Sequence, residues 1–187
     1  MSERDATTRQ SAEDVLAFWL AAGHERWFEP DAAFDAAIRE RFGATYEDAV
    51  AGLLGTWENS PEGALALVIV LDQFPRNMFR GSAKSFAADP LARAVAERAI
   101  VRGFDQRVAM PQRSFFYLPF EHSEKLADQE RSVVLMRATG DADLLKWAEL
   151  HADIIRRFGR FPHRNAALGR NTTPQEQAFL DGGGFSG

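Results

Sequence analysis

The sequence predicts an all-α fold, and three observations carry the prediction. Apolar residues recur at helical spacing in successive segments along the 187 residues. Cap residues and prolines stand at the starts of these segments, and glycines stand at their ends. No alternation of strand and helix patterns appears, and the connections are short. Together these call for irregular antiparallel helix pairs in an array or a bundle.

Residues 1–10 are polar and are expected to form a flexible N-terminal segment. Ser11 then reads as a helix cap with Asp14 in the first turn, and Val15, Leu16, Phe18, Trp19 and Leu20 follow at helical spacing until Gly23. Trp27-Phe28-Glu29-Pro30 is a break. Phe34, Ile38 and Phe42 mark a second helix stopping near Gly43, and Tyr46, Val50, Leu53, Leu54 and Trp57 mark a third stripe, weakened by Gly52 and Gly55. Asn59-Ser60-Pro61-Glu62 starts the most apolar run of the chain, residues 64–71. A buried strand would also suit that run, but the cap favours a central helix and no other segment offers a strand partner. Pro75 is expected to end it.

Asp89-Pro90 starts the next helix, with Leu91, Val95, Ala99 and Ile100 on its apolar face and Gly103 as its stop. Pro119 predicts a kink, or a short helix followed by a new one, within the apolar stretch 115–120. One helix is expected through Leu126 and another through Val133, Val134 and Met136, ending at Gly140. From residue 141 to 158, Leu144, Ala148, His151, Ile155 and Phe158 line one face of the clearest helix, which Gly159 stops. Residues 166–168 suggest a short helical turn. Thr172-Thr173-Pro174-Gln175-Glu176 starts the last helix, anchored by Phe179 and Leu180. The expected organisation is one all-helical domain over residues 11–181, followed by a flexible glycine-rich tail, 182–187.

The absence of cysteine excludes disulfides, thiolate metal sites and cysteine nucleophiles. A net charge of -5 argues against nucleic-acid and anionic-membrane partners. No stretch suits a signal peptide or a membrane span, so a cytoplasmic location is expected. Within this acidic chain the residues from Arg156 to Arg170 form a basic island.

The candidate chemistry centres on two similar stretches. Phe74-Pro75-Arg76-Asn77 is followed by Arg80, and Phe161-Pro162-His163-Arg164-Asn165 is preceded by Arg160. Each follows an apolar helix. Arginines can grip a carboxylate or phosphate while asparagines orient it, and two such turns could line the sides of one cleft. The same side chains could instead hydrogen-bond helix-end carbonyls and serve only the scaffold. Glu121-His122-Ser123-Glu124 is a second cluster, in which Glu121 and Glu124 can share a helical face and a carboxylate beside an imidazole can act as a general base. The spacing is not that of a zinc motif, and neither a metal nor a cofactor is expected. His151 lies on the apolar stripe of its helix; it is either a core histidine or borders a pocket where it meets Glu121 or Glu124. Asp72, at the end of the most apolar helix, needs a partner, and Arg76 four residues on is the nearest. Phosphate-loop, dinucleotide, nucleophile-elbow and kinase motifs are absent from the sequence.

Three long stretches, residues 72–81, 117–124 and 157–165, resemble a bacterial family catalogued as domain of unknown function 924, and residues 15–19 and 172–180 resemble that family's ends. The resemblance spans residues 11 to 181. It implies a tetratricopeptide-like arrangement of helix pairs, a right-handed array without regular 34-residue repeats. It implies no established activity and assigns no catalytic residue.

Two functions remain open on the sequence. One is binding of a peptide, a protein or a small anionic ligand in a cleft lined by Arg76, Asn77, Arg80, Glu121, His122, Glu124, His151, Arg160, His163, Arg164 and Asn165. The other is hydrolysis of an anionic substrate, with His122 or His151 as base, Glu121 beside it and an arginine clamp. The oligomeric state is left as monomer or homodimer.

Overall fold

Ser11 opens the first helix through a reciprocal pair of bonds: its hydroxyl accepts from the Asp14 N–H while the Asp14 carboxylate accepts from the Ser11 N–H. The computed structural model of the chain describes residues 9–186. No strand occurs among them, so the all-α class holds, and no helix among them is long and apolar enough to cross a membrane. Packing divides the chain into two compact units, residues 9–80 with 84–116, and residues 81–83 with 117–186.

The first unit contains α1 (Ala12–Phe28), α2 (Ala32–Val50), α3 (Pro61–Val68), α4 (Phe74–Met78) and α5 (Asp89–Val101). Gly23 kinks α1 rather than ending it, with φ 77° and ψ 171° inside an otherwise continued helix. Helix α2 runs through Gly43, where a stop was expected. Phe34, Ile38, Phe42, Tyr46 and Ala49 form one buried stripe across that glycine. Their burial outweighs the roughly 1 kcal/mol that glycine costs in a helix. The expected third stripe does not form. Leu53 is 63% exposed, and residues Gly55–Asn59 make a 3-10 turn.

Ser60 caps α3 by accepting from the Gly63 N–H. The whole run 64–71 is buried and helical. Pro75 does not end it. A proline lacks an N–H and its ring crowds the carbonyl four residues back. Here the segment Ile69–Gln73 widens into a π turn, with the Phe74 N–H bonded to the Ile69 carbonyl, and α4 continues through Pro75 to Met78. Trp19 sits at the centre of this unit, fully buried, with the rings of Trp27, Phe34, Phe74 and Phe115 all within about 6 Å of its own. Arg9 and Gln10 are tied to α2 through Asp48 and Thr45. The rest of the expected flexible N-terminal segment lies outside the described residues.

The second unit contains α6 (Leu118–Glu121), α7 (Leu126–Ala138), α8 (Ala142–Phe158) and α9 (Pro174–Asp181). Pro119 falls in the first turn of α6, where its missing N–H is no loss. One helix, α7, stands where two were expected: Gln129, Ser132, Val133 and Met136 are buried along it, while Val134 faces solvent at 62% exposure. Helices α7 and α8 pack against each other across a tight turn at Gly140. Asp141 caps α8, and Gly159 ends it in the left-handed conformation at φ 68°. Thr173 and Glu176 cap α9 reciprocally.

Candidate functional site

The two Phe-Pro stretches have different backbones. The first lies inside a helix, at α4. The second leaves α8 through Gly159 and forms a 3-10 turn, Pro162–Arg164. The two differ because the π turn absorbs Pro75, while the left-handed glycine sets up Pro162. Each stretch belongs to a different unit.

In the first unit Arg76, Asn77 and Arg80 are engaged by carboxylates of neighbouring helices. Arg76 donates two bonds to Asp89 at 3.0 and 3.1 Å, donates to the Asp72 carbonyl, and stands 3.4 Å from the Asp72 carboxylate. Asp72 is fully buried and also accepts from the Gln73 amide at 2.6 Å. Burial works against the Arg76 charge, but Asp72 and Asp89 outweigh it and hold the guanidinium protonated above its ordinary range. Asp35 on α2 accepts from Asn77 at 2.7 Å and from Arg80 at 2.9 and 3.0 Å. The partner of Arg76 expected from sequence, Asp72, is joined by Asp89, and Asp35 was not foreseen. Nothing in the local pattern marks Asp35 or Asp89, since both reach α4 only through tertiary packing.

The remaining candidates gather in the second unit. His151 Nδ1 lies 2.8 Å from the Trp147 carbonyl and 3.3 Å from Glu121 Oε1. A carbonyl only accepts, so Nδ1 carries the proton and Nε2 is the basic nitrogen. Both partners are buried, Glu121 at 4% and His151 at 7% exposure. Glu124 accepts two bonds from Arg170 at 2.8 and 3.0 Å and one from the Phe161 N–H at 2.8 Å. Burial pushes its carboxyl up, yet these bonds and the charges of Arg170 and Arg164 pull it below its ordinary value.

The fully buried Phe161 ring lies 5.6 Å from the His151 ring and 5.5 Å from the His163 ring, with the Arg164 guanidinium over it at 4.5 Å. His163 is held neutral, its pKa lowered to about 3, first by burial and then by the charges of Arg164, His151 and His122 against the opposing Glu124. These couplings put His122, Glu124, His151, His163 and Arg164 in one neighbourhood, and the contact with His151 adds Glu121 to it.

Arg160 and Asn165 point to a different task. Arg160 clamps Glu176 at 2.6 and 2.9 Å and the Asn171 carbonyl at 2.8 Å, while the buried Asn165 amide reaches Thr172 and Glu176 at 3.3 Å. Arg160 and the two Thr173 bonds hold the Glu176 carboxyl at about 2 against burial. These contacts fasten α9 to the turn that follows α8.

Sequence reasoning missed Phe185. Its ring packs 4.5 Å from His151, 5.2 Å from His163 and 6.2 Å from Trp147. The glycine-rich composition of residues 182–187 predicts a flexible tail and carries no signal for this contact. No group of three or more His, Asp or Glu side chains among the described residues is arranged to hold a metal ion. Two grooves in the first unit, of about 580 and 500 Å³, are lined by residues of α1, α2 and the α3 start, such as Leu16, Trp57, Phe18 and Arg41, and include none of the predicted site residues.

An all-helical chain with a buried histidine–carboxylate cluster on one unit and a carboxylate–arginine lock in the other is the class these observations define. The family described as bacterial protein of unknown function (DUF924) matches residues 15–184, and the chain belongs to that family. The solved structure of a protein of unknown function from Agrobacterium tumefaciens is similar, at 48% identity and a TM-score of 0.89 over 91% of this chain and 97% of that one. No curated protein matches the chain.

Proposed function

We propose that the second unit binds the acidic group of a peptide or of a small anionic ligand at the cluster of His122, His151, His163 and Arg164, with Glu121 and Glu124 holding these groups in place. The observation that carries this reading is the charge balance around His163. Burial first, and then the charges of Arg164, His151 and His122, keep His163 neutral, and an added anion would offset the repulsive part. Glu124 is already engaged by Arg170 and the Phe161 N–H, and Glu121 by His151. Arg76, Asn77 and Arg80 are assigned to the scaffold, since Asp35, Asp72 and Asp89 engage them, and Arg160 and Asn165 are assigned to the fastening of α9.

Titrating inorganic phosphate and acetate against the histidine Cε1–H resonances tests the reading. Saturable shifts of His163 and His151 in the millimolar range, with the His163 pKa rising from about 3, are expected. No saturable shift at either resonance would sink it.

The Glu121–His151 pair favours a second reading, hydrolysis of an anionic ester. Glu121 orients His151 and leaves Nε2 as the base that takes a proton from water. Its test is turnover of p-nitrophenyl acetate and p-nitrophenyl phosphate by wild type, Glu121→Gln and His151→Asn. Equal rates in all three would remove it.

A further inference from the structure

We propose that Phe185 occupies an aromatic subsite beside this histidine cluster, so that the ligand carries a planar aromatic group next to its anionic group and the segment 182–186 is its intramolecular competitor. The proposal rests on the anion-binding reading for the anionic half alone. The subsite itself is visible in the packing. The Phe185 ring meets His151 edge-on at 4.5 Å with planes 65° apart, meets His163 at 5.2 Å and 84°, and has the Trp147 ring at 6.2 Å. Edge-to-face geometry with two imidazoles is the arrangement that selects an aromatic ring over an aliphatic side chain. Trp147 is 46% exposed, so this side of the subsite opens to solvent and an incoming ring can reach it.

The segment that delivers Phe185 is built for the purpose. Gly183 takes φ 78°, and the Gly182, Gly183 and Gly184 N–H groups cap the carbonyls of Ala178, Leu180 and Phe179. A Cβ on Gly184 would stand 2.5 Å from the Phe179 carbonyl oxygen and 2.6 Å from its ring, so the chain passes there only as glycine. Yet the segment buries little beyond one half-buried ring, since Asp181, Gly182, Gly183 and Ser186 are all exposed. A strap positioned by its backbone and held by one side chain can be displaced at the loss of that ring's packing on Ile154, Ile155 and Phe161.

Phenylphosphonate, methylphosphonate and benzyl alcohol are the probes, read by the His151 and His163 resonances and by Trp147 fluorescence, on wild type and Phe185→Ala. Removing the competitor is expected to tighten phenylphosphonate about tenfold and methylphosphonate less than about twofold. Equal changes for both phosphonates, or none, would overturn the aromatic subsite. If methylphosphonate binds neither protein, the anion reading falls, and benzyl alcohol then decides the subsite. Its ring must still shift His151 and His163 in Phe185→Ala, and silence there overturns the proposal as well. Gly184→Ala unseats the strap while keeping Phe185, and must reproduce the phenylphosphonate gain; it stands in should Phe185→Ala fail to fold.

Discussion

Replacing Arg76 with methionine tests whether the first Phe-Pro-Arg-Asn stretch is scaffold. The guanidinium gives two bonds to Asp89, stands 3.4 Å from the fully buried Asp72 carboxylate and donates to the Asp72 carbonyl. Methionine keeps the apolar stem and removes the charge, leaving two carboxylates in a site that has lost its cation. Truncating one side of a buried ion pair costs about 3–5 kcal/mol. The Arg76 side chain is 21% exposed, which places the cost near the lower end of that range. With a urea m-value of about 2 kcal/mol/M, a loss of about 3 kcal/mol lowers the unfolding midpoint by about 1.5 M. The assay is urea unfolding followed by far-UV circular dichroism and by fluorescence of the stacked Trp19–Trp27 pair. Adding Asp89→Asn to Arg76→Met should recover about 1–2 kcal/mol, because it removes one of the stranded charges. A midpoint shift in Arg76→Met below about 0.3 M would refute the lock. An absence of recovery in the double variant would refute desolvated charge as the cause.

Other outcomes follow from the same geometry. His163 is neutral in the folded chain down to about pH 3 and protonates near 6.5 when unfolded. Its contribution is therefore complete above pH 6.5 and is lost as pH falls toward 3, at up to about 1.4 kcal/mol per pH unit. His163→Gln should flatten that part of the stability–pH profile measured by urea midpoints, and an unchanged slope would exclude a buried neutral imidazole. Glu176→Gln removes the acceptor for Arg160 and the Thr173 N–H and should cost about 2 kcal/mol locally, seen as roughly 30-fold faster amide exchange in α9. Unaltered exchange would mean that α9 is held by its apolar contacts alone. Gly63→Ala would bring a Cβ to 2.2 Å from the Trp57 carbonyl oxygen, a backbone atom that cannot step aside. A loss of about 2 kcal/mol or more in urea unfolding is expected, and a neutral effect would contradict the close approach of α3 to the preceding turn.

The sequence by itself determined the helical class and most helix starts, because caps and apolar spacing act over one or two turns. Ser11 with Asp14, Ser60 with Pro61, and Thr173 with Glu176 all cap the helices they predict. The stops were less legible. Gly43 lies inside α2 and Pro75 inside α4, since burial of a long stripe and a π turn overrode local preferences that cost only about 1–3 kcal/mol. The meeting of His151 with Glu121 could be anticipated from an imidazole on an apolar stripe that required a partner. Asp35, Asp89 and Phe185 could not. Asp35 and Asp89 reach α4 only through tertiary packing, across 42 and 13 residues of chain, and Phe185 reaches the histidines through three glycines whose path is set by the Ala178, Phe179 and Leu180 carbonyls they cap. Tertiary structure alone decided that the two similar stretches do different work. One is locked to carboxylates inside a helix. The other opens from a left-handed glycine and brings His163 and Arg164 to His151.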